Sequence, residues 1–295
     1  MRIRFLGTAA AEGAPALFCT CAFCQYARKA LGREVRTRAG SIIDGVLKLD
    51  FGPDSFKHMI DNGLDYTYMQ SILVTHSHDD HCCVADIGYR RKGFAQLSAD
   101  VPLLTVYGNA AVRERLGSRL NEHIAFKQLH AFETVDIQGY AVTPLEAVHC
   151  VYRPGTPDSP SEPAFPVVFD GQTLSRREEA FFYLIEKDGE SILYAHDTDE
   201  FTPADMEFLA GRHIDLITMD CTNAALEGNY IGHMGISDNL RMREKLLANG
   251  AADAHTTFVA NHFSHNGLVP YEEMVRRLPG FVVSYDSLEL ETPKK

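Results

Sequence analysis

A chain of 295 residues, 45% of them hydrophobic, can bury a sizeable core, which excludes a disordered chain. Its 28 basic and 40 acidic side chains leave a formal charge of −12, and its longest basic run is Arg90-Arg91-Lys92. That balance excludes a basic groove for long nucleic acid and an anionic membrane as partner, but not a small phosphate ester where metal ions supply local positive charge.

Residues 2–6 read as a strand, and their apolar part is too short for an export signal. Strands follow at 41–43 and 46–50, joined by Asp44-Gly45, a strong hairpin dipeptide. A helix over 54–62 and a buried strand over 71–75 lead into a run of histidines. A strand over 103–107 precedes a helix over 109–121 with Asn109 as its N-cap. After alternating segments to 149, residues 153–175 carry Pro154, Pro157, Pro160, Pro163 and Pro166 and read as one long Pro-rich loop, a length usually tied to function. Strands at 181–186 and 191–195 form a second hairpin. A helix over 203–211 starts after Thr202, and a strand covers 214–219. A helix over 237–249 is capped by Ser237, and strands at 256–260 and 281–285 follow. Mostly strands, then strand and helix, are given roughly twice over. This order predicts one α/β domain over 1–295, with two sheets face to face and helices outside. No apolar run approaches the roughly 20 residues that span a bilayer.

The chemistry concentrates at His76-Ser77-His78-Asp79-Asp80-His81, directly after the 71–75 strand. In extended backbone His76 and His78 point to one side, and the turn that follows can bring Asp80 and His81 beside them. Imidazole and carboxylate suit Zn²⁺, Mn²⁺ or Fe. A second signal is Cys19-Thr20-Cys21-Ala22-Phe23-Cys24, three thiolates that need a fourth ligand for a closed tetrahedral zinc site; His265 is the candidate. Three crowded cysteines out of seven suggest metal thiolates in a reducing cytoplasm, not disulfides. Cys82, Cys83, Cys150 and Cys221 read as buried thiols that pack. His58, His123, His130, His213 and His255 fit no ligand spacing.

Thr75 through His81 resembles the signature of the metallo-β-lactamase superfamily. The resemblance implies an αββα sandwich of two mixed β-sheets with outer helices and a two-metal hydrolytic site. It further implies that His76, His78 and His149 hold one divalent ion, that Asp80, His81 and His262 hold the other, and that Asp197 bridges them. Asp50 falls where a carboxylate supports a ligand from behind. His196, beside Asp197, is expected to be a partly exposed neighbour. The cysteine cluster with His262-Phe263-Ser264-His265 resembles the cyclic phosphodiesterases of bacterial phosphonate breakdown, and His233 falls where those enzymes carry a further active-site histidine. His233, Asp80 and Asp197 are therefore the expected catalytic side chains. The expected substrate is a small phosphodiester, cyclic ones included, attacked by an activated water, and a homodimer is the default assembly. A thioester or lactone hydrolase, and a protein like that of pyrroloquinoline quinone biosynthesis, stay open as alternatives.

Overall fold

The computed structural model describes residues 1–152, 164–226 and 231–293. In chain order the first strands are β1 (Arg2–Gly7), β2 (Gly40–Ile43), β3 (Leu47–Leu49), β4 (Ser71–Leu73), β5 (Leu104–Gly108), β6 (Ile124–Gln128), β7 (Val135–Ile137) and β8 (Tyr140–Glu146). They are followed by β9 (Phe165–Phe169), β10 (Gln172–Arg176), β11 (Phe181–Lys187), β12 (Glu190–Ala195), β13 (Leu216–Asp220), β14 (Thr257–Asn261), β15 (Phe281–Val283) and β16 (Leu288–Glu291). The helices are α1 (Ala22–Ala30), α2 (Ser55–Asp61), α3 (Val84–Ile87), α4 (Ala110–Leu116), α5 (Pro203–Leu209), α6 (Ile236–Ala248) and α7 (Tyr271–Arg277). One mixed sheet has the order β16-β1-β2-β3-β4-β5-β6, and a second the order β15-β14-β13-β12-β11-β8-β7.

Strand parity explains why these sheets stack. In β11 the residues Phe181, Tyr183 and Ile185 face the first sheet, where they meet Phe5, Leu47, Leu49 and Leu73. The alternate residues Phe182 and Leu184 pack outward with Leu209 of α5 and Met242 and Leu246 of α6. Such a strand is buried on both faces and reads as an unbroken apolar run. On the other side, Val112 and Leu116 of α4 cover Ile72 and Val106 of the first sheet. This is the expected αββα sandwich, with its main core between the sheets.

Strands β3 to β6 are mutually parallel, as are β12 to β15. Strand β8 is antiparallel to β11, itself antiparallel to β12, so β8, β12, β13 and β14 run the same way. Their carboxyl ends lie along one edge, where open α/β sheets commonly hold their ligands.

Asp44-Gly45 forms the expected turn, both residues having positive φ (51° and 71°). The long loop expected over 153–175 is corrected in its second part. Residues 153–163 lie outside the described residues, but β9 and β10 form a hairpin around Asp170-Gly171, whose φ values are 46° and 71°. Among the described residues the ribbon has two strands, so Pro166 sits on an edge, where a missing N–H is tolerated. The cap of helix α6 lies two residues before the expected Ser237: Gly235 is its N-cap, and the Gly235 N–H donates to Asp238 Oδ2 (2.7 Å), which leaves Ser237 inside the first turn. Among the described residues no helix is long and apolar enough to cross a membrane.

Candidate metal centre

The 76–81 loop is held from three sides. The Phe51 N–H donates to the His81 carbonyl and the Cys83 N–H to the Phe51 carbonyl (2.8 and 2.7 Å). Gly52 lies so close to the loop that a Cβ there would sit 1.9 Å from the Asp80 carbonyl oxygen, so only glycine admits this approach. Ser77 donates through its N–H and Oγ to Glu178 (3.0 and 2.7 Å), and Asn109 Nδ2 donates to the same carboxylate (2.8 Å). Arg115 reaches the Ser77 carbonyl and Asp79.

The structure brings the expected residues together at the strand ends. Ligand atoms of His76, His78 and His149, with Cys150 Sγ, form one group within 4.8 Å of one another, and those of Asp80, His81 and His262 form another. Asp197 lies between them: its Oδ2 is 2.9 Å from His81 Nε2 and 3.0 Å from His262 Nε2, and its Oδ1 is 3.7 Å from His149 Nε2. Asp50, Asp197 and His262 have φ of 55°, 50° and 62°, left-handed values that Asp and His tolerate better than most residues. Backbone strain of this kind gathers at functional sites.

Hydrogen bonds fix which nitrogen of each ring faces inward. His81 Nδ1 donates to Asp50 Oδ2 (2.8 Å), while Asp50 Oδ1 accepts from Thr75 N and Oγ1 (2.8 and 3.0 Å). His149 Nδ1 lies 3.3 Å from the Gly232 carbonyl, and His76 Nδ1 3.0 Å from Thr75 Oγ1. Thr222 Oγ1 donates to Asp220 Oδ2 (2.8 Å), so it accepts from His262 Nδ1 (2.8 Å). What remains is His76 Nε2, His81 Nε2, His262 Nε2 and Asp197 Oδ2, all buried and all without a hydrogen bond. Asp197 Oδ2 lies close to the His81 and His262 Nε2 atoms without forming a hydrogen bond to either. Buried polar atoms left in this state are costly. A divalent cation satisfies them, and the donor set of imidazole and carboxylate fits one.

Carboxylates and rings hold one another charged here: burial lowers His81 and His262, but the carboxylates around them, Asp197 foremost, outweigh it and lift both. Burial opposes ionisation of Asp197 and Asp80, yet the surrounding rings, His262 and His81 for Asp197 and His81 for Asp80, hold Asp197 well below the usual carboxylate range and Asp80 at about 2. Ionised carboxylates in a dry centre require nearby positive charge. Burial pushes His149 down to about 3, leaving a neutral ring with a lone pair to offer.

Asp220, the end of β13, was not among the sequence candidates. Its Oδ2 accepts from His233 Nδ1 (3.1 Å) and from the Asp197 N–H (3.1 Å), and its Oδ1 accepts from the Thr222 and Met234 N–H groups (2.9 and 3.0 Å). Asp220 thus braces Asp197, His262 and His233 together. The signal was available, since Asp220 ends the apolar run Ile214–Met219 as Asp50 and His262 end theirs. His233 lies at the rim, its side chain 26% exposed and its Nδ1 3.9 Å from Asp197 Oδ1. Burial works against charge on this ring, but Asp220 and Asp197 outweigh it and lift its pKa to about 9.

The expectation for His196 is corrected: it is fully buried. It shares the parity of Ile192 and Tyr194 and therefore faces the inter-sheet core, where Nε2 meets Thr218 Oγ1 (2.8 Å) and Asn261 Nδ2 (2.9 Å). His58 is also buried, 2.8 Å from Thr37 Oγ1, away from the centre.

Cys19, Cys21, Cys24 and His265 form a separate group with ligand atoms within 4.8 Å. Cys21 caps α1, and its Sγ accepts from the Cys24 N–H (3.4 Å) and lies 3.7 Å from His265 Nδ1. Desolvation raises the Cys21 pKa, but these contacts prevail and bring it to about 6, so a thiolate is available near neutral pH. The Phe263 N–H donates to the Thr8 carbonyl and the Ala10 N–H to the Phe263 carbonyl (2.9 and 3.0 Å), which ties the 262–265 segment to the chain leading into the cysteine loop.

A cavity of about 700 Å³ lies between the β9–β10 hairpin and α6, lined by Phe169 and Leu174 of the hairpin, Asp199, Phe201, Ile231 and Arg241. Asp199 Oδ2 accepts from the Gly232 N–H (3.0 Å), so this cavity is one residue from the His149 and His233 supports.

The family model for the beta-lactamase superfamily domain matches residues 51–258. The structure is similar to a diphosphatase from the PhnP family, with a TM-score of 0.70, 21% identity and coverage of 99% of this chain and 98% of that one. It is also similar to Zn²⁺-bound PqqB from Methylobacterium extorquens (TM-score 0.67, 18% identity, 99% and 100% covered). The short form of human tRNase Z is similar as well (TM-score 0.59, 14% identity, both chains covered fully at 100%). At these identities the likeness is one of fold. No curated protein matches the sequence significantly.

Proposed function

This chain belongs to the beta-lactamase superfamily, and we propose that it is a metal-dependent phosphodiesterase acting on a small, cyclic or linear phosphodiester. The observation that carries this reading is the set of buried ring nitrogens and the Asp197 oxygen that converge without hydrogen bonds, with a His233–Asp220 pair at their rim. In this reading His76, His78 and His149 hold one divalent ion, Asp80, His81 and His262 hold a second, and Asp197 reaches both. Zn²⁺, Mn²⁺ and Fe all suit the donors. Cys19, Cys21, Cys24 and His265 hold a structural Zn²⁺.

When held by these residues, two cations would supply an acidified water and neutralise charge on a phosphodiester. The chain's own residues do the rest. Asp50, Thr75, Thr222 and the Gly232 carbonyl keep the rings in the tautomer whose lone pair faces inward. Asp220 engages His233 Nδ1, so Nε2 is the atom that delivers a proton to the departing alkoxide oxygen. The cavity beside Asp199 accommodates an alcohol portion of the substrate.

The test is a substrate panel with the metal-loaded protein: a phosphodiester, a phosphomonoester, a phosphoanhydride, a thioester and a lactone. Preference for the diester supports the reading. The phosphoanhydride arm is included because of the fold shared with a diphosphatase. Preference for the thioester or lactone overturns the phosphodiesterase reading and keeps only a hydrolase.

A further inference from the structure

Four rings of the centre have a nitrogen engaged by an oxygen behind them: His76 by Thr75, His81 by Asp50, His149 by Gly232 and His262 by Thr222. His78 is the fifth, the exposed one, and it is turned the other way round. Its Nδ1 faces inward, 3.5 Å from His149 Nε2, so its Nε2 faces outward. The atom met there is Cys150 Sγ, at 3.7 Å, and that thiol donates in turn to Glu178 Oε1 at 3.7 Å. Cys82 and Cys221 sit in apolar clusters, as buried thiols commonly do. Cys150 instead stands between an imidazole and a buried carboxylate, its Sγ within 4.8 Å of ligand atoms of His76, His78 and His149.

We propose that Cys150 is a positioning residue for His78. Its sulfur accepts the Nε2–H of the ring and its S–H donates to Glu178, which leaves the Nδ1 lone pair directed at the centre. This rests on the reading of the histidine group as a metal site. An exposed ring without such an anchor rotates and exchanges tautomers, and each alternative removes a ligand. Glu178 also accepts from Ser77 N and Oγ, so the same carboxylate fixes the backbone before His78 and the thiol behind its ring. The backbone of Cys150 is secured independently: its φ is 55°, and its carbonyl accepts from the Arg177 N–H (2.8 Å). A substitution that removes only the sulfur therefore leaves the chain path in place.

The experiment compares wild type, Cys150→Ala, Cys150→Ser and His78→Ala, each carrying zinc at the cysteine cluster. The histidine centre is titrated with cobalt(II) and followed by visible absorption. Cys150→Ala is expected to weaken cobalt binding about 10- to 100-fold, and Cys150→Ser, which keeps a donor and an acceptor, to restore most of that loss. Wild-type affinity in Cys150→Ala with only a lowered melting temperature overturns the proposal and returns Cys150 to packing. A near-ultraviolet thiolate-to-cobalt band that vanishes in Cys150→Ser also overturns it, because the sulfur is then itself a ligand. If His78→Ala binds cobalt as the wild type does, the metal-site reading itself has failed; if His78→Ala loses cobalt while Cys150→Ala does not, only the present proposal has.

Discussion

Gly52→Ala perturbs the centre without touching any side chain in it. The new Cβ would lie 1.9 Å from the Asp80 carbonyl oxygen and 2.9 Å from its carbon. Carbon and oxygen approach to roughly 3.3 Å, so a gap of about 1.4 Å must open. The hydrogen bonds from Phe51 to His81 and from Cys83 to Phe51 couple that movement to the whole loop. Overpacking of this kind costs about 1–3 kcal/mol. A displacement of ~1 Å at a reacting centre costs on the order of 100-fold in rate. The assay is metal retention after dialysis against a chelator, with a thermal melt and turnover on the same samples. Gly139→Ala is the control: φ there is +82°, and nothing lies within 4 Å of an added Cβ. The control is expected to lose about 1 kcal/mol of stability and to retain its metal. Gly52→Ala is expected to lose metal from the histidine centre. Wild-type retention and turnover in Gly52→Ala would refute the argument that the glycine fixes Asp80 and His81.

Three further outcomes follow from the same geometry. His233→Gln should lower turnover of a diester with a poor leaving alcohol about 100- to 1000-fold, but that of a p-nitrophenyl ester much less, since phenolate needs no proton; equal losses would contradict proton delivery by His233. Cys21→Ser should lower the melting temperature while leaving the turnover of the remaining folded protein nearly unchanged, and an unaltered melt would count against a structural zinc at the cysteine cluster. Lys48 is fully buried, with its Nζ bonded to the Leu49 and Asp50 carbonyls, and burial, partly offset by Asp50, lowers its pKa from 10.5 to about 7. Between those values the unfolded chain holds the proton and the folded chain does not. Stability therefore rises with pH across this window, by on the order of 4 kcal/mol, relative to Lys48→Met. Denaturant melts at pH 6 and pH 10 measure the difference, and parallel pH profiles for the two proteins would contradict it.

Much of this centre was legible because the chemistry sits at strand ends. His76, His149, Asp197 and His262 each come within two residues of the end of a short apolar run, and the family resemblance picks them out as ligands. Asp220 carries the same mark but was overlooked, because its partners Thr222, His233 and His262 meet it only after β13 and β14 lie side by side. The error at His196 had a local cause: parity with Ile192 and Tyr194 already sends it into the core. The hairpin at Asp170-Gly171 used a dipeptide recognised at Asp44-Gly45, but the prolines before it masked the signal. Helix α1 was hidden by the cysteines at its start, although Phe23, Cys24 and Ala27 form its buried face. The contact between Cys150 and His78 had no trace in sequence, because it joins the segment after β8 to a loop 72 residues earlier.

The most direct measurement is metal content per chain for wild type and for Asp197→Ala, by elemental mass spectrometry on folded protein. Asp197 faces His81, His262 and His149 at once. The variant is therefore expected to lose the metal of the histidine centre together with its turnover, and to keep the equivalent held by Cys19, Cys21, Cys24 and His265. An Asp197→Ala protein with the wild-type metal content and rate would contradict the two-metal centre.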